Sequence, residues 1–216
     1  IFEIGRIYLD PNAKIPDERT LLAGALVNSE DKKNIFFHIK GKIEALFESL
    51  GIENADFVEP KLVGTICHPS RTAIIKVGDK IIGYICEINP QVLSEYKIKT
   101  RVAAFGLNVE DILDLVSFQK EYKVISKFPS VKRDISMYVG EKTKYADIES
   151  KIYTAGGKLV IGVELFDIFE KEGEKSMALR VEIGSHGKTL TSEEIDGATK
   201  NIVAKLEKDL KVKVRK

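Results

Sequence analysis

Asp134-Ile-Ser-Met-Tyr-Val139, Leu159-Val-Ile-Gly-Val-Glu-Leu-Phe-Asp-Ile-Phe169 and Lys175-Ser-Met-Ala-Leu-Arg-Val-Glu-Ile183 are three apolar-rich runs, and their spacing decides the fold of the carboxy-terminal half. In the first, Ile135, Met137 and Val139 alternate with polar neighbours, as Met177, Leu179, Val181 and Ile183 do in the third, the period of a strand buried on one face. Tyr145–Thr154, between the first and second runs, and Ser192–Leu210, after the third, carry helical periodicity instead. In the latter, Ile195, Ala198, Ile202, Leu206 and Leu210 hold one face, and Thr191 with Glu194 three residues on forms a capping-box pattern. Lys211–Arg215 reads as a closing strand. Turns are supplied by Gly156-Gly157 and by Lys171-Glu-Gly-Glu174. The resulting order, β-α-β-β-α-β, is that of the split ferredoxin-like fold.

Such a sheet packs one face on its two helices and leaves the other open. Strand phase puts Asp134, Ser136 and Tyr138 outward from the first strand, and Ser176, Ala178, Arg180 and Glu182 from the third. Lys211, Lys213 and Arg215 alternate with Val212 and Val214 in the last strand. Glu164 or Phe166 joins this surface according to the register of a strand apolar on both sides. An unpaired base and its phosphate require aromatic faces and cations together. Tyr138, Arg180, Lys211, Lys213 and Arg215 are therefore candidate nucleic-acid contacts, with Lys132 and Arg133 candidate phosphate contacts. An ordinary solvated sheet face is the competing reading of the same residues.

The preceding half has a different rhythm. Strands are expected at Phe2–Leu9, Leu21–Val27, Phe57–Gly64, Thr72–Val77, Lys80–Glu87 and Arg101–Leu107, punctuated by Pro11, Pro16, Pro60 and Pro69. One long helix, Asn34–Leu50, aligns Ile35, Phe36, Ile39, Ile43, Leu46, Phe47 and Leu50 on one face and stops at Gly51. Val77-Gly-Asp-Lys80 reads as a hairpin turn, so the sheet is antiparallel and this half is α+β. A short helical stretch, Val109–Val116, precedes a segment without clear periodicity. Cutting between Phe118 and Gln119 leaves 14 basic and 17 acidic residues before the cut and 20 and 16 after it, so the halves carry −3 and +4. Two domains, 1–118 and 119–216, follow.

Over the whole chain, 34 basic and 33 acidic residues exclude a polyelectrolyte, though not a local basic patch. No apolar run reaches the length of a membrane span, and the alternating start lacks the form of a signal peptide, so the cytoplasm is the expected location. Ile1 stands already inside an alternating run, which reads as a piece of a longer polypeptide. Gly-rich phosphate loops, Gly-x-Ser-x-Gly and His-Glu-x-x-His are absent. Glu193 and Glu194 fall in the first turn of a helix, where carboxylates complement the dipole. His38, His68 and His186 have no nucleophile near them in sequence. Cys67 and Cys86 lack metal-ligand spacing and read as core thiols, so neither metal nor catalytic residues are expected here. The run Cys67-His-Pro-Ser-Arg-Thr-Ala73 is rich in donors for a connection between strands, and Arg71 in it could hold an anion or a partner's carboxylate.

These residues carry a resemblance. Lys123-Val-Ile-Ser-Lys-Phe-Pro-Ser-Val-Lys-Arg-Asp-Ile-Ser136, Val163-Glu-Leu-Phe-Asp-Ile-Phe169, Lys175-Ser-Met-Ala-Leu179 and Lys188-Thr-Leu-Thr-Ser-Glu-Glu-Ile195 resemble the ferredoxin-fold anticodon-binding domain that ends the beta subunit of bacterial phenylalanyl-tRNA synthetases. Pro16-Asp-Glu18, Phe36-Phe-His-Ile-Lys-Gly41, Cys67–Ala73 and Gly83-Tyr-Ile-Cys-Glu-Ile-Asn-Pro90 resemble the domain before it, which has the class II synthetase fold without catalytic motifs. The family's usual His-Pro-Gly-Arg-Ser stands here as His68-Pro-Ser-Arg-Thr72.

The resemblance implies partners and chemistry. Phenylalanine tRNA would be bound through its anticodon region, and the first domain would support assembly with a catalytic alpha subunit, two alpha and two beta chains together. His68 and Arg71 are candidates for that subunit interface. ATP and magnesium would serve the whole enzyme, with no cofactor held by this part of it. Editing and metal-associated segments would precede Ile1. Neither a membrane nor DNA is among the expected partners. Two other classes compete: an ACT-like module binding an amino acid on the β-α-β-β-α-β half, and a stand-alone catalytic class II-like domain in the first half. The first would want a glycine-lined loop where Gly140-Glu-Lys-Thr-Lys144 is charged, and the second an Arg-bearing hairpin for ATP that residues 1–118 lack.

Overall fold

The computed structural model describes residues 1–9, 14–27, 35–119, 126–171 and 173–215. The chain divides into two compact units, Ile1–Tyr122 and Lys123–Lys216, where the sequence reading cuts after Phe118. Asn34 as the expected helix start, Pro11, Glu172 of the expected turn and the Lys123-Val-Ile opening of the quoted motif lie outside the described residues.

The first unit contains β1 (Phe2–Leu9), β2 (Asp17–Leu26), α1 (Ile35–Leu50), β3 (Ala55–Val58), β4 (Cys67–Val77), β5 (Lys80–Ile88), α2 (Pro90–Glu95), β6 (Ala103–Asn108) and α3 (Val109–Leu113). Its strands form one sheet in the order β1-β2-β6-β5-β4-β3, antiparallel throughout. Ile35, Ile39, Ile43 and Phe47 recur every fourth residue along α1 and are buried against Ala73, Ile75, Ile85, Ala103 and Leu107 of β4, β5 and β6. Each such side chain contributes about 1.5–3 kcal/mol of apolar burial. That one-sided stripe is why the helix lies on the sheet.

Three local expectations change. The strand expected over Phe57–Gly64 is the short β3, which ends at Val58, two residues before Pro60, whose missing N–H cannot extend a ladder. The connection expected at Cys67–Ala73 belongs to β4, whose pairing with β5 breaks register between Cys67 and Thr72, so residues 68–71 bulge out of a continuous strand. A further helix, α2, begins where the Asn89 side chain accepts the N–H of Gln91 and Pro90 occupies the first turn.

The second unit contains β7 (Val131–Val139), α4 (Tyr145–Gly156), a 3-10 turn (Gly157–Leu159), β8 (Val160–Lys171), β9 (Glu174–Ile183), α5 (Ser192–Leu210) and β10 (Lys213–Val214). Sheet order is β10-β7-β9-β8, again antiparallel. Ile135, Met137, Val139, Met177, Leu179, Val181 and Ile183 pack on Ile148 and Ile152 of α4 and on Ile195, Ile202 and Leu206 of α5. These are the inward positions that strand alternation assigns. Thr191 and Glu194 make both capping-box bonds at the start of α5. At its other end Lys211 adopts a left-handed conformation, φ 53°, as the C-cap, so the last strand shortens to Lys213–Val214. Both units are α+β with antiparallel sheets.

Candidate nucleic-acid interface

Within its own unit, the face of the β7–β10 sheet turned away from α4 and α5 is arranged in cross-strand rows, because paired residues in an antiparallel sheet share a face. One row runs Lys213, Tyr138, Ser176, Phe169 across β10, β7, β9 and β8. The next runs Ser136, Ala178, Asp167, with Arg215 at its end, where the Arg215 N–H donates to the Ser136 carbonyl at 2.8 Å. The third is Asp134, Arg180, Glu164.

Side-chain size shapes this grid. Ser136, Ser176 and Ala178 form a low floor, and with Asp167, Phe169 and Arg215 they line an open hollow of about 380 Å³. Two arginine–aromatic pairs flank it. The Arg215 guanidinium lies 5.3 Å from the centre of the Tyr138 ring, and that of Arg180 lies 5.0 Å from the centre of the Phe166 ring. Phe166 and Phe169 are about half exposed.

The cations are not equivalent. Arg180 donates to both oxygens of Asp134, at 2.8 and 2.9 Å. Hydrogen bonding from Arg180 holds the Asp134 carboxyl below the usual carboxylate range, and the same bonds raise the Arg180 guanidinium. Arg180 is thus neutralised and works as a brace on Phe166. Lys213 and Arg215 have no carboxylate partner among the described residues. Lys132 shares the outward phase of Asp134 and is exposed.

Two expected contacts lie elsewhere. Arg133 pairs in register with Val181, hence on the helix side of the sheet, where its Nη2 meets Asp196 of α5 at 3.4 Å. Lys211 is the α5 C-cap and precedes the strand, so it does not join the row of Lys213. Ser176 lies on the face as strand phase expects, Glu164 and Phe166 both join it, and Asp167 and Phe169 are additions. The register shift between Leu165 and Asp167 is what brings both Phe166 and Asp167 to it, against strict alternation.

In the first unit, His68 and Arg71 come together in the β4 bulge, with Nε2 of His68 3.3 Å from Nη1 of Arg71. Below them the carboxylate of Glu87, buried at 2% exposure, is held by Arg101 through both oxygens. Cys67 and Cys86 are buried free thiols, and burial pushes the Cys86 thiol up. Among the described residues no three His, Cys, Asp or Glu side chains gather as a metal shell. No described helix is long and apolar enough to cross a membrane.

Comparison with known proteins agrees with both units. Residues 1–109 match the phenylalanyl tRNA synthetase beta chain CLM domain, and residues 126–215 match the ferredoxin-fold anticodon binding domain. The chain is 29% identical to the phenylalanine–tRNA ligase beta subunit of Clostridium acetobutylicum and 32% identical to that of Clostridium tetani, in each case over 100% of its own length. It spans 27% of the length of each of these relatives. A solved pyrrolysyl tRNA synthetase from Desulfitobacterium hafniense aligns with a TM-score of 0.41 at 20% identity, over 52% of this chain and 39% of that one. With the CLM match covering half the chain and the anticodon-binding match most of the rest, the chain belongs to the family of phenylalanyl-tRNA synthetase beta chains.

Proposed function

We propose that the second unit binds the anticodon region of phenylalanine tRNA on its open sheet face, as a non-catalytic part of the ATP- and magnesium-dependent ligase in the cytoplasm. The carrying observation is the cross-strand grid: exposed aromatic faces, unneutralised Lys213 and Arg215, and a hollow floored by small residues. Splayed bases stack on Phe169 and on the Tyr138–Arg215 pair, while phosphates meet Lys213 and Lys132. Asp167 makes no hydrogen bond or ion pair among the described residues and accepts from the N–H groups of a base edge. The test is fluorescence anisotropy with the 216-residue chain and a labelled phenylalanine anticodon stem-loop. Replacing Lys213 and Arg215 together by Ala should weaken binding at least tenfold at low salt, as the loss of one phosphate contact and one stacking cation implies. Unchanged binding would remove this face from the site.

The first unit, a class II-like sheet without catalytic residues, supports assembly with the alpha subunit in a particle of two alpha and two beta chains. Its −3 charge against +4 for residues 119–216 favours a protein partner for it and RNA for the other unit. Pull-down of the alpha subunit by the 216-residue chain, and no phenylalanine-dependent pyrophosphate exchange by that chain alone, are the expected results.

A further inference from the structure

His68 and Arg71 meet at the surface of the β4 bulge, Nε2 to Nη1 at 3.3 Å. The backbone N–H of Ser70 donates to Nδ1 of His68 at 3.2 Å. The Ser70 hydroxyl lies 3.4 Å from the same nitrogen, and in the tautomer that accepts at Nδ1 the ring proton sits on Nε2. In that tautomer the Nε2–H and the Arg71 guanidinium both offer protons to one outside acceptor. The bulge is itself braced, since the Thr72 hydroxyl donates to the His68 carbonyl at 2.7 Å.

Arg71 is the less engaged of the two arginines at Glu87. Arg101 grips both oxygens of Glu87, and Arg71 reaches only Oε2, at 3.5 Å. The Arg71 side chain is 46% exposed, so its guanidinium stands at the surface. Beyond its contacts with Glu87 and His68, Arg71 has no hydrogen-bond or ion-pair partner among the described residues.

We propose that His68 and Arg71 form an oxyanion site for a carboxylate, which takes the Nε2–H of His68 and the free guanidinium donors of Arg71. The guanidinium fork matches a carboxylate's two oxygens. Leu62 and Ile66, just before the bulge in the chain, are 91% and 51% exposed, apolar surface of the kind a protein partner covers around an Arg anchor. An acidic side chain is therefore the natural source of the carboxylate. The assembly reading above supplies that partner; the site itself stands on the geometry.

The probe is acetate, titrated at constant ionic strength into the 216-residue chain carrying 15N-labelled histidine. Acetate should move the Nε2 resonance of His68 and leave those of His38 and His186 in place. Arg71→Gln should weaken that response about tenfold or more, the loss expected for a charge-assisted hydrogen bond. Arg71→Lys, which keeps the charge without the fork, should retain part of it. A parallel arm uses inorganic phosphate. A His68 response to phosphate but not acetate overturns the carboxylate assignment. Silence to both, or an undiminished acetate response in Arg71→Gln, overturns the site. Because acetate reads the site without a partner, these failures leave alpha-subunit capture untouched, and failed capture with acetate binding intact sinks only the assembly reading.

Discussion

Arg180 of β9 and Asp134 of β7 are direct cross-strand partners, joined by two hydrogen bonds of 2.8 and 2.9 Å on the open face of the sheet. The pairing cancels a charge that strand phase alone would offer to RNA. Asp134→Asn should therefore add a free cation to the face and steepen the salt dependence of anticodon stem-loop binding by up to about 0.7 in log–log slope. Arg180→Ala should leave that slope nearly unchanged. The reverse pattern would show that Arg180 meets phosphate.

The same pair predicts a pH window. Bonding to Arg180 depresses the Asp134 carboxyl in the folded state, so its contribution is complete above the unfolded value of about 3.9 and is lost as pH falls through the folded value. Unfolding midpoints of the parent chain and Asp134→Asn should differ at neutral pH and converge in acid below that value. A difference that persists unchanged in acid would mean that the carboxylate's charge is not what the variant removes.

Phe169 and Asp167 divide stacking from recognition. Phe169→Ala should cost roughly 1–3 kcal/mol of stem-loop affinity, and Phe169→Tyr should keep most of it. Asp167→Asn replaces an acceptor-only carboxylate by an amide that also donates. It should change which base is preferred and leave the salt slope alone. Binding measured across stem-loops varied one anticodon base at a time separates the two effects.

Strand phase shows clearly in the second unit because its core residues are large and strictly alternate: Ile135, Met137 and Val139 facing Met177, Leu179 and Val181 leave Tyr138 and Arg180 on the other face. Where alternation breaks, residue order alone misleads. The β8 bulge that exposes both Phe166 and Asp167 depends on pairing with β9, and no local pattern encodes it. Lys211 looks like a strand residue by spacing, yet the end of a nineteen-residue helix claims it as a left-handed cap. Arg133 sits beside Lys132 in a basic run but points to the other side, a consequence of the period of two that the run conceals. In the first unit the α1 stripe makes the helix legible, whereas the meeting of Glu87 with Arg71 and Arg101 joins β4, β5 and the segment before β6, which only the sheet pairing brings together.

The basic residues consequently fall into two sets. Lys132→Ala and Lys213→Ala should each lower the salt slope of binding by about 0.7, the value for one phosphate contact with a single strand. Arg133→Ala and Lys211→Ala should not. Equal effects from all four would mean that RNA responds to net charge rather than to the open face.

Gly51 ends α1 at φ +68°, with its N–H donating to the Glu48 carbonyl and the next N–H, of Ile52, returning to that of Phe47. The conformation alone makes any L side chain costly there, by about 1–2 kcal/mol. Space adds to it: a Cβ on Gly51 would stand 1.8 Å from the carbonyl oxygen of Ser117, whose own N–H donates to the Leu50 carbonyl at 3.1 Å. Backbone cannot rotate aside as a flexible side chain would, so either the helix end or the 117 strand of chain must move. Gly78, in the hairpin between β4 and β5, supplies the control. Its φ is +59°, and a Cβ there meets nothing within 4 Å. Gly78→Ala should show the conformational cost alone, and Gly51→Ala a larger loss of stability, read as the difference between their thermal midpoints. Equal midpoints would show that Ser117 does not pack against the end of α1 in solution.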